Sequence, residues 1–181
     1  MDKPKPWRLR GSRRVYDGMP HVAVDLQTVA LPNGRIIDDY HHVVVPDFAI
    51  MVVTDSDGAL LFLRQYKHGL GAVSLTLPAG HIDAGEAPLD AAQRELLEET
   101  GHVAENWRSL GSFVVNGNQR CGVAHIFAAD AARAVQAPES GDLEEMTLER
   151  LDRAAATAAL RDGSIAILPH AAAFSLYLNA L

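Results

Sequence analysis

The 181-residue sequence contains only one cysteine, Cys121, so no disulfide can form within the chain. This absence indicates a reducing compartment, and we expect a cytoplasmic protein. Apolar runs are short as well, because none reaches the roughly 20 residues that a transmembrane helix needs. The N-terminus also lacks the apolar core and small-residue cleavage site of a signal peptide, so we expect neither membrane insertion nor secretion.

Positive charge is scarce too. The chain has 16 Lys and Arg residues against 23 Asp and Glu residues, and its net charge of −7 disfavours a general binder of nucleic acid or anionic membrane. Its basic residues are concentrated near the start, and by composition residues 1–18 are predicted to be a solvated, partly disordered tail. The histidines show no recognisable metal-ligand spacing, so a histidine-based metal centre is not expected.

What the sequence does contain is typical of an ordinary globular protein, with 48% hydrophobic and 22% charged residues. Its length suits one domain with a proper core. The hydrophobic patterns predict strands at residues 21–30, 35–45, 48–54, 59–66, 75–77, 107–115 and 123–128, and helices at 151–161 and 171–181. Strands on both sides of a central helix, with helices at the end, predict an α/β fold in which a mixed sheet lies between helices.

The central helix is predicted from the stretch between Gly80 and His102. Pro88 suits a first helical turn, where the missing N–H costs nothing, and Ala, Leu, Gln, Arg and Glu fill the interior. Gly101 suits the position after the last turn, where a positive φ is common. Gly80 and Gly85 allow the preceding loop to turn sharply and to approach a ligand closely.

This helix carries three carboxylates on one face, because Glu95, Glu98 and Glu99 fall at positions i, i+3 and i+4. Like charges at this spacing repel one another by roughly 0.2–0.5 kcal/mol per pair, and only Arg94 is near enough to offset part of that. A hard cation such as Mg²⁺, which prefers carboxylate and phosphate oxygens, explains the cluster. Glu86, in the loop before the helix, can fold back onto the same site.

The stretch resembles the Nudix box, G-x5-E-x7-R-E-U-x-E-E-x-G-U, in which U is a bulky apolar residue. Its fixed positions are all matched, by Gly80, Glu86, Arg94, Glu95, Glu98, Glu99 and Gly101. Leu96 matches the first U, and His102 departs from the last U, which is a packing position. The resemblance implies an α/β/α sandwich at residues 46–181, preceded by an N-terminal tail and β-meander extension at residues 1–45.

The resemblance also implies roles for the residues of the box. Glu95, Glu98 and Glu99 would be metal ligands together with the backbone carbonyl of Ala79, and Glu86 would support them. Arg94 would orient the glutamates through charge-assisted hydrogen bonds. The implied cofactor is Mg²⁺, with Mn²⁺ as an alternative.

Residues outside the box resemble the ADP-ribose pyrophosphatase branch of the family. Arg64 to Lys67 resembles that branch's basic strand end, and Arg64 and Lys67 would bind substrate, although Lys67 stands where the branch usually has Arg. Thr76 stands where the branch often has Glu. The branch's frequent Ser-Pro-Gly segment is replaced by residues 116–120, where Arg120 could contact a phosphate or sugar, although a solvated loop arginine is an equal alternative.

Two further expectations follow from the same branch. Trp7 would stack on a nucleobase held by the partner subunit of a homodimer, but packing on its own domain is the favoured alternative. A glutamate of a later loop would act as the general base, and Glu139 and Glu144 are equally good candidates for that role.

The sequence thus predicts a Nudix hydrolase. Its expected reaction is metal-dependent cleavage of the pyrophosphate bond of ADP-ribose or a related nucleoside diphosphate sugar, giving a nucleoside monophosphate and a sugar phosphate. One alternative is a Nudix pyrophosphohydrolase acting on nucleoside triphosphates, RNA ends or dinucleoside polyphosphates. Another is a non-catalytic nucleotide sensor, which the complete set of box glutamates disfavours.

Overall fold

The computed structural model describes residues 3–141, 143 and 145–180. Within it, contacts divide the chain into two compact units. The first contains the chain up to Pro46 together with Val114–Val123, and the second contains Asp47–Phe113 together with the chain from Ala124 onward. A division into domains at residue 45 stays a prediction.

The described residues form ten strands and three helices. The strands are β1 (Arg8–Gly18), β2 (Val22–Ala30), β3 (Ile36–Val44), β4 (Phe48–Asp55), β5 (Leu60–Lys67), β6 (Ala72–Thr76), β7 (Ala79–His81), β8 (His102–Asn116), β9 (Arg120–Ala134) and β10 (Met146–Leu151). The helices are α1 (Pro88–Thr100), α2 (Arg153–Arg161) and α3 (Leu168–Asn179). No helix in this described part of the chain is both long and apolar enough to cross a membrane.

The first unit is an antiparallel meander in which β2 pairs with β1 on one side and with β3 on the other. The prediction of a disordered tail is wrong for most of its length, because β1 pairs with β2 from Arg8 to Gly18. Nearly every residue of β1 is exposed, so the strand has no apolar face by which its sequence could be recognised. The start of β9 joins this unit through the parallel pair of Val43 with Arg120.

The second unit is built around β4, which runs parallel to β9 and antiparallel to β5 and β7. Successive side chains of a strand point to opposite faces, and β4 follows this rule. Ile50 and Val52 belong to one apolar cluster with residues of α2 and α3, whereas Met51 and Val53 belong to a second cluster with residues of α1. The mixed sheet therefore lies between two layers of helix, as predicted.

Several element boundaries differ from the sequence predictions. The helix predicted at 151–161 begins at Arg153, because Leu151 ends β10 and the Asp152 side chain caps the helix by accepting from the Ala155 N–H at 2.7 Å. The last helix begins at Leu168 rather than at residue 171. The strands β8 and β9 are both 15 residues long and extend well beyond the predicted segments.

Candidate functional site

The site is built where β7 leads into the loop before α1. Ala79 and Gly80 pair with Ile50 and Ala49 of the buried strand β4, so the backbone at the start of the box is fixed to the core. A Cβ atom on Gly80 would lie 1.9 Å from the carboxylate carbon of Glu95. The absent side chain is therefore what allows Glu95 to lie directly against the backbone of β7.

Helix α1 presents the carboxylates because its opposite face is buried. Ala92 and Leu96 have no exposed surface and pack in the second apolar cluster. The helix ends at Gly101, which has a φ of 70° and donates its N–H to the Leu97 carbonyl at 2.8 Å. Glu99 is only 6% exposed, and its Oε2 accepts the Ala79 N–H at 2.8 Å, which ties the helix to the start of the box.

Arg94 lies at the centre of the remaining carboxylates and makes five hydrogen bonds, as many as a guanidinium has N–H groups. Two of them, both 2.9 Å long, go to the two oxygens of Glu86, and one goes to the His81 carbonyl at 2.9 Å. The other two go to Glu95 Oε1 at 2.8 Å and Glu98 Oε2 at 3.0 Å. One residue thus joins the loop carboxylate to the two helix carboxylates.

The electrostatics follow from these contacts. The Arg94 guanidinium, helped by the Asp83 N–H that Glu86 also accepts, lowers the pKa of Glu86 to about 2. The same contacts, with Glu86 first, raise the pKa of Arg94 above its ordinary value, so the pair is fully ionised near neutral pH. Glu98 has 40% of its side chain exposed and is more open to solvent than Glu86 or Glu95.

These oxygens suit a hard divalent cation. Four glutamates, Glu86, Glu95, Glu98 and Glu99, surround the start of the box, and carboxylate and carbonyl oxygens are the donors that Mg²⁺ and Mn²⁺ prefer. Within residues 3–141, 143 and 145–180, no three acidic, histidine or cysteine side chains converge as a ready-made metal site. Arg94 instead gathers Glu86, Glu95 and Glu98 and supplies the positive charge, whereas Glu99 is held by the Ala79 N–H.

A cleft of about 320 Å³ opens beside this cluster. It is lined by Phe48, Lys67, Ala79, Gly80, His81, Glu95, Glu99 and His170. Glu95 belongs both to the cleft and to the Arg94 network, and Lys67 brings a positive charge to the same space. The sequence predictions included Lys67 but missed Phe48 and His170, which reach the cleft only through tertiary packing.

The loop after β9 is fixed to the end of α1. The Glu139 N–H donates to the Glu98 carbonyl at 2.8 Å, and the Val135 N–H donates to the Gly101 carbonyl at 2.9 Å. A Cβ atom on Gly101 would lie 2.2 Å from the Gln136 carbonyl oxygen, so this close approach also requires glycine. The backbone of Glu139 is therefore bonded directly to the helix that carries Glu98. Glu144 lies outside the described residues.

Of the other predicted substrate-binding residues, Arg64 is not among those that line this cleft, and Trp7 and Arg120 belong to the first unit. Arg64 is exposed and forms a two-bond ion pair with Glu149, across the pairing of β5 with β10. In the first unit, Trp7 is half exposed and packs edge-on against Tyr40, with ring centroids 5.6 Å apart. Trp7 thus contacts Tyr40 of its own chain, and its stacking on a nucleobase stays a prediction. Arg120, in the same unit, has a φ of 73°.

Comparison with known proteins gives a consistent result. The NUDIX domain family matches residues 45–170, and the nucleoside diphosphate sugar hydrolase N-terminal domain family matches residues 7–43. The CMP-5'-(N-acetyl-N-hydroxy-3-aminopropyl)phosphonate hydrolase of Streptomyces rubellomurinus is 33% identical over 82% of this chain and 72% of its own length. The ADP-ribose pyrophosphatase of Bacillus subtilis is 28% identical over 68% of this chain and 70% of its own length.

A solved structure described as an ADP compounds hydrolase shares the fold. It superposes with a TM-score of 0.86 and 21% identity, covering 100% of this chain and 97% of that one. The family match extends over most of the chain, and it includes the helix, the glycines and the glutamates described above. The chain therefore belongs to the Nudix family and is a Nudix hydrolase.

Proposed function

We propose that this protein hydrolyses the pyrophosphate bond of ADP-ribose or a related nucleoside diphosphate sugar, giving a nucleoside monophosphate and a sugar phosphate. The observation that carries the proposal is the position of Glu95, which joins the acidic cluster to a cleft that also contains Lys67. Such a cleft offers oxygen donors for a cation and a point charge for a phosphate. The ADP-ribose pyrophosphatase of Bacillus subtilis supports the same substrate class.

The proposed cofactor is Mg²⁺, or Mn²⁺ in its place, held by Glu95, Glu98 and Glu99 with help from Glu86 and the Ala79 carbonyl. When bound, such a cation neutralises charge on phosphate oxygens and makes water a better nucleophile at neutral pH. The remaining functions belong to side chains of this protein. Lys67 binds a phosphate oxygen, and Arg94 holds Glu86, Glu95 and Glu98 in place through four of its five hydrogen bonds.

We assign the general base to Glu139. Its backbone N–H is bonded to the Glu98 carbonyl, so its position is set by the helix that carries the proposed cation ligands. Its side chain is exposed and can accept the proton of the attacking water. Glu144 remains the competing candidate, and separate substitution of the two residues decides between them.

The more distant substrate contacts are assigned as follows. Arg64 is engaged by Glu149, which favours a role in holding β10 to β5 over a role in binding substrate. Arg120 and Trp7 remain proposed contacts for the nucleotide in a cytoplasmic homodimer. Measurement of the molecular mass in solution tests the dimer, and the Trp7→Ala variant tests the base contact through the KM for ADP-ribose.

The experiment that tests the function is a panel assay of product release with Mg²⁺, Mn²⁺ or EDTA. The compounds are ADP-ribose, ADP-glucose, GDP-mannose, NADH, a dinucleoside polyphosphate, a nucleoside triphosphate and a CMP-linked phosphonate, the last included because of the Streptomyces relative. We expect cation-dependent cleavage of ADP-ribose or another nucleoside diphosphate sugar well above the rest, with AMP or the matching monophosphate as one product.

Other outcomes have defined meanings. Preference for triphosphates or dinucleoside polyphosphates keeps the chemistry of the site but overturns the proposed substrate class. Preference for the CMP-linked phosphonate moves the specificity to the class named for the Streptomyces relative. Tight binding of a nucleotide without turnover in the presence of Mg²⁺ overturns the catalytic proposal in favour of a nucleotide sensor.

A further inference from the structure

His170 is a buried titratable residue that the proposed mechanism does not yet use. It lies in the first turn of α3, is only 9% exposed, and lines the same cleft as Lys67, Glu95 and Glu99. A polar ring buried in this way requires hydrogen-bond partners. One partner is present, because Nδ1 accepts the Leu77 backbone N–H at 3.2 Å.

This contact fixes the chemical form of the ring. A neutral imidazole carries its proton on one nitrogen only, so a ring that accepts at Nδ1 must carry its proton on Nε2. Burial, and secondly the charge of Lys67, lower the pKa of His170 to about 4, so the ring is neutral near pH 7. A protonated Nε2 cannot ligate a metal ion, but it can donate a hydrogen bond.

We propose that His170 is a substrate-binding residue, which donates its Nε2–H to an oxygen of the diphosphate in the cleft. The inference rests on the proposed function only in the choice of a diphosphate as the bound group. Lys67 already supplies a positive charge there, and a second cation would repel both Lys67 and a bound divalent metal ion. A neutral donor held in one orientation positions a phosphate oxygen without adding that repulsion.

Two substitutions separate this role from a purely structural one. In His170→Asn the side-chain amide oxygen lies near the place of Nδ1 and can keep the Leu77 contact, but no donor extends to the place of Nε2. In His170→Gln the amide nitrogen reaches the place of Nε2 and can keep the donor, but the Leu77 contact is lost. The first variant therefore lacks the proposed hydrogen-bond donor but keeps the structural contact. The second variant keeps the donor but lacks the structural contact.

We expect His170→Asn to keep the wild-type melting temperature and to raise the KM for ADP-ribose about tenfold, as expected for one hydrogen bond to a charged group. His170→Gln should have a KM within about threefold of wild type, even if it melts at a lower temperature. If His170→Asn has the wild-type KM and His170→Gln is the impaired variant, the residue acts only through Leu77 and the proposal is overturned.

Two measurements do not depend on turnover. Nitrogen NMR of the histidine ring should show the Nε2–H form at pH 7, and a ring protonated on Nδ1 contradicts the proposal. Calorimetric titration with inorganic pyrophosphate should give a dissociation constant about tenfold higher for His170→Asn than for wild type, and equal constants also overturn the proposal. If no compound of the panel is cleaved, the proposed function fails, whereas the pyrophosphate titration still decides the role of His170.

Discussion

Arg94 and Glu86 form a two-bond ion pair, in which Nε and Nη2 of the arginine each lie 2.9 Å from one oxygen of the carboxylate. The other three hydrogen bonds of the guanidinium reach the helix carboxylates and the His81 carbonyl. The planar fork of arginine makes this possible, since a lysine has three donors on one nitrogen.

We therefore expect Arg94→Lys to lower kcat/KM by about tenfold to a hundredfold, because the positive charge remains but the glutamates lose their orientation. Steady-state kinetics over a range of Mg²⁺ concentrations measures the effect. Arg64→Lys is the matched control, since that arginine pairs with Glu149 at an exposed position and should change activity little. Equal activity of the two variants contradicts the role given to Arg94.

Gly80 and Gly101 should respond to alanine in different ways. In Gly80→Ala the new methyl group meets the flexible end of Glu95, so we expect a change in stability of less than about 1 kcal/mol but a loss of kcat of more than about tenfold. In Gly101→Ala the methyl group meets the Gln136 carbonyl at a φ of 70°, which should cost more than about 2 kcal/mol. Urea unfolding and kinetics on both variants test this contrast.

Substitutions of Glu98 and Glu139 should lower turnover to different extents. We expect Glu98→Gln to abolish turnover while leaving the fold intact, because it removes the negative charge of a proposed metal ligand with little change in the shape of the side chain. Glu139→Gln should lower kcat by about 10² to 10⁴ and leave the Mg²⁺ concentration for half-maximal activity unchanged. If Glu144→Gln shows that loss and Glu139→Gln does not, the general base is Glu144.

The burial of His170 predicts a pH dependence of stability. Its pKa is about 4 in the folded protein against 6.5 for an unperturbed histidine, so the unfolded chain binds the proton more readily. The free energy of unfolding should therefore be at its full value above pH 6.5 and fall as the pH drops from 6.5 to 4, by an amount on the order of 3 kcal/mol. Urea unfolding across this range should show a smaller fall in the free energy of unfolding for His170→Gln than for wild type. An equal fall would mean that other residues cause the pH dependence.

The central helix and its acidic face could be predicted from the sequence, because they depend on local rules. Pro88 and Gly101 mark the first turn and the end of α1, and a period of 3.6 residues places Glu95, Glu98 and Glu99 together. The contact of Glu95 with Gly80 could not be predicted in this way. It depends on how β7 packs beside α1, and no local pattern specifies that distance.

The errors have physical causes as well. Basic residues in β1 suggested disorder, yet the strand forms because β2 supplies partners from Val22 to Ala30. Strand pairing satisfies backbone groups whatever the side chains are, so an exposed strand has no hydrophobic periodicity. His170 was missed because one histidine within an apolar helix looks the same whether its ring faces the core or a cleft.

Arg94 also determines how the acidic cluster is arranged before any cation binds. Its guanidinium acts as a resident counterion, which draws Glu86, Glu95 and Glu98 together and offsets part of the repulsion among them. The fold itself therefore holds these carboxylates together, and a cation is not required to assemble them. The proposed divalent cation would then control the rate of hydrolysis without being needed to fold the protein.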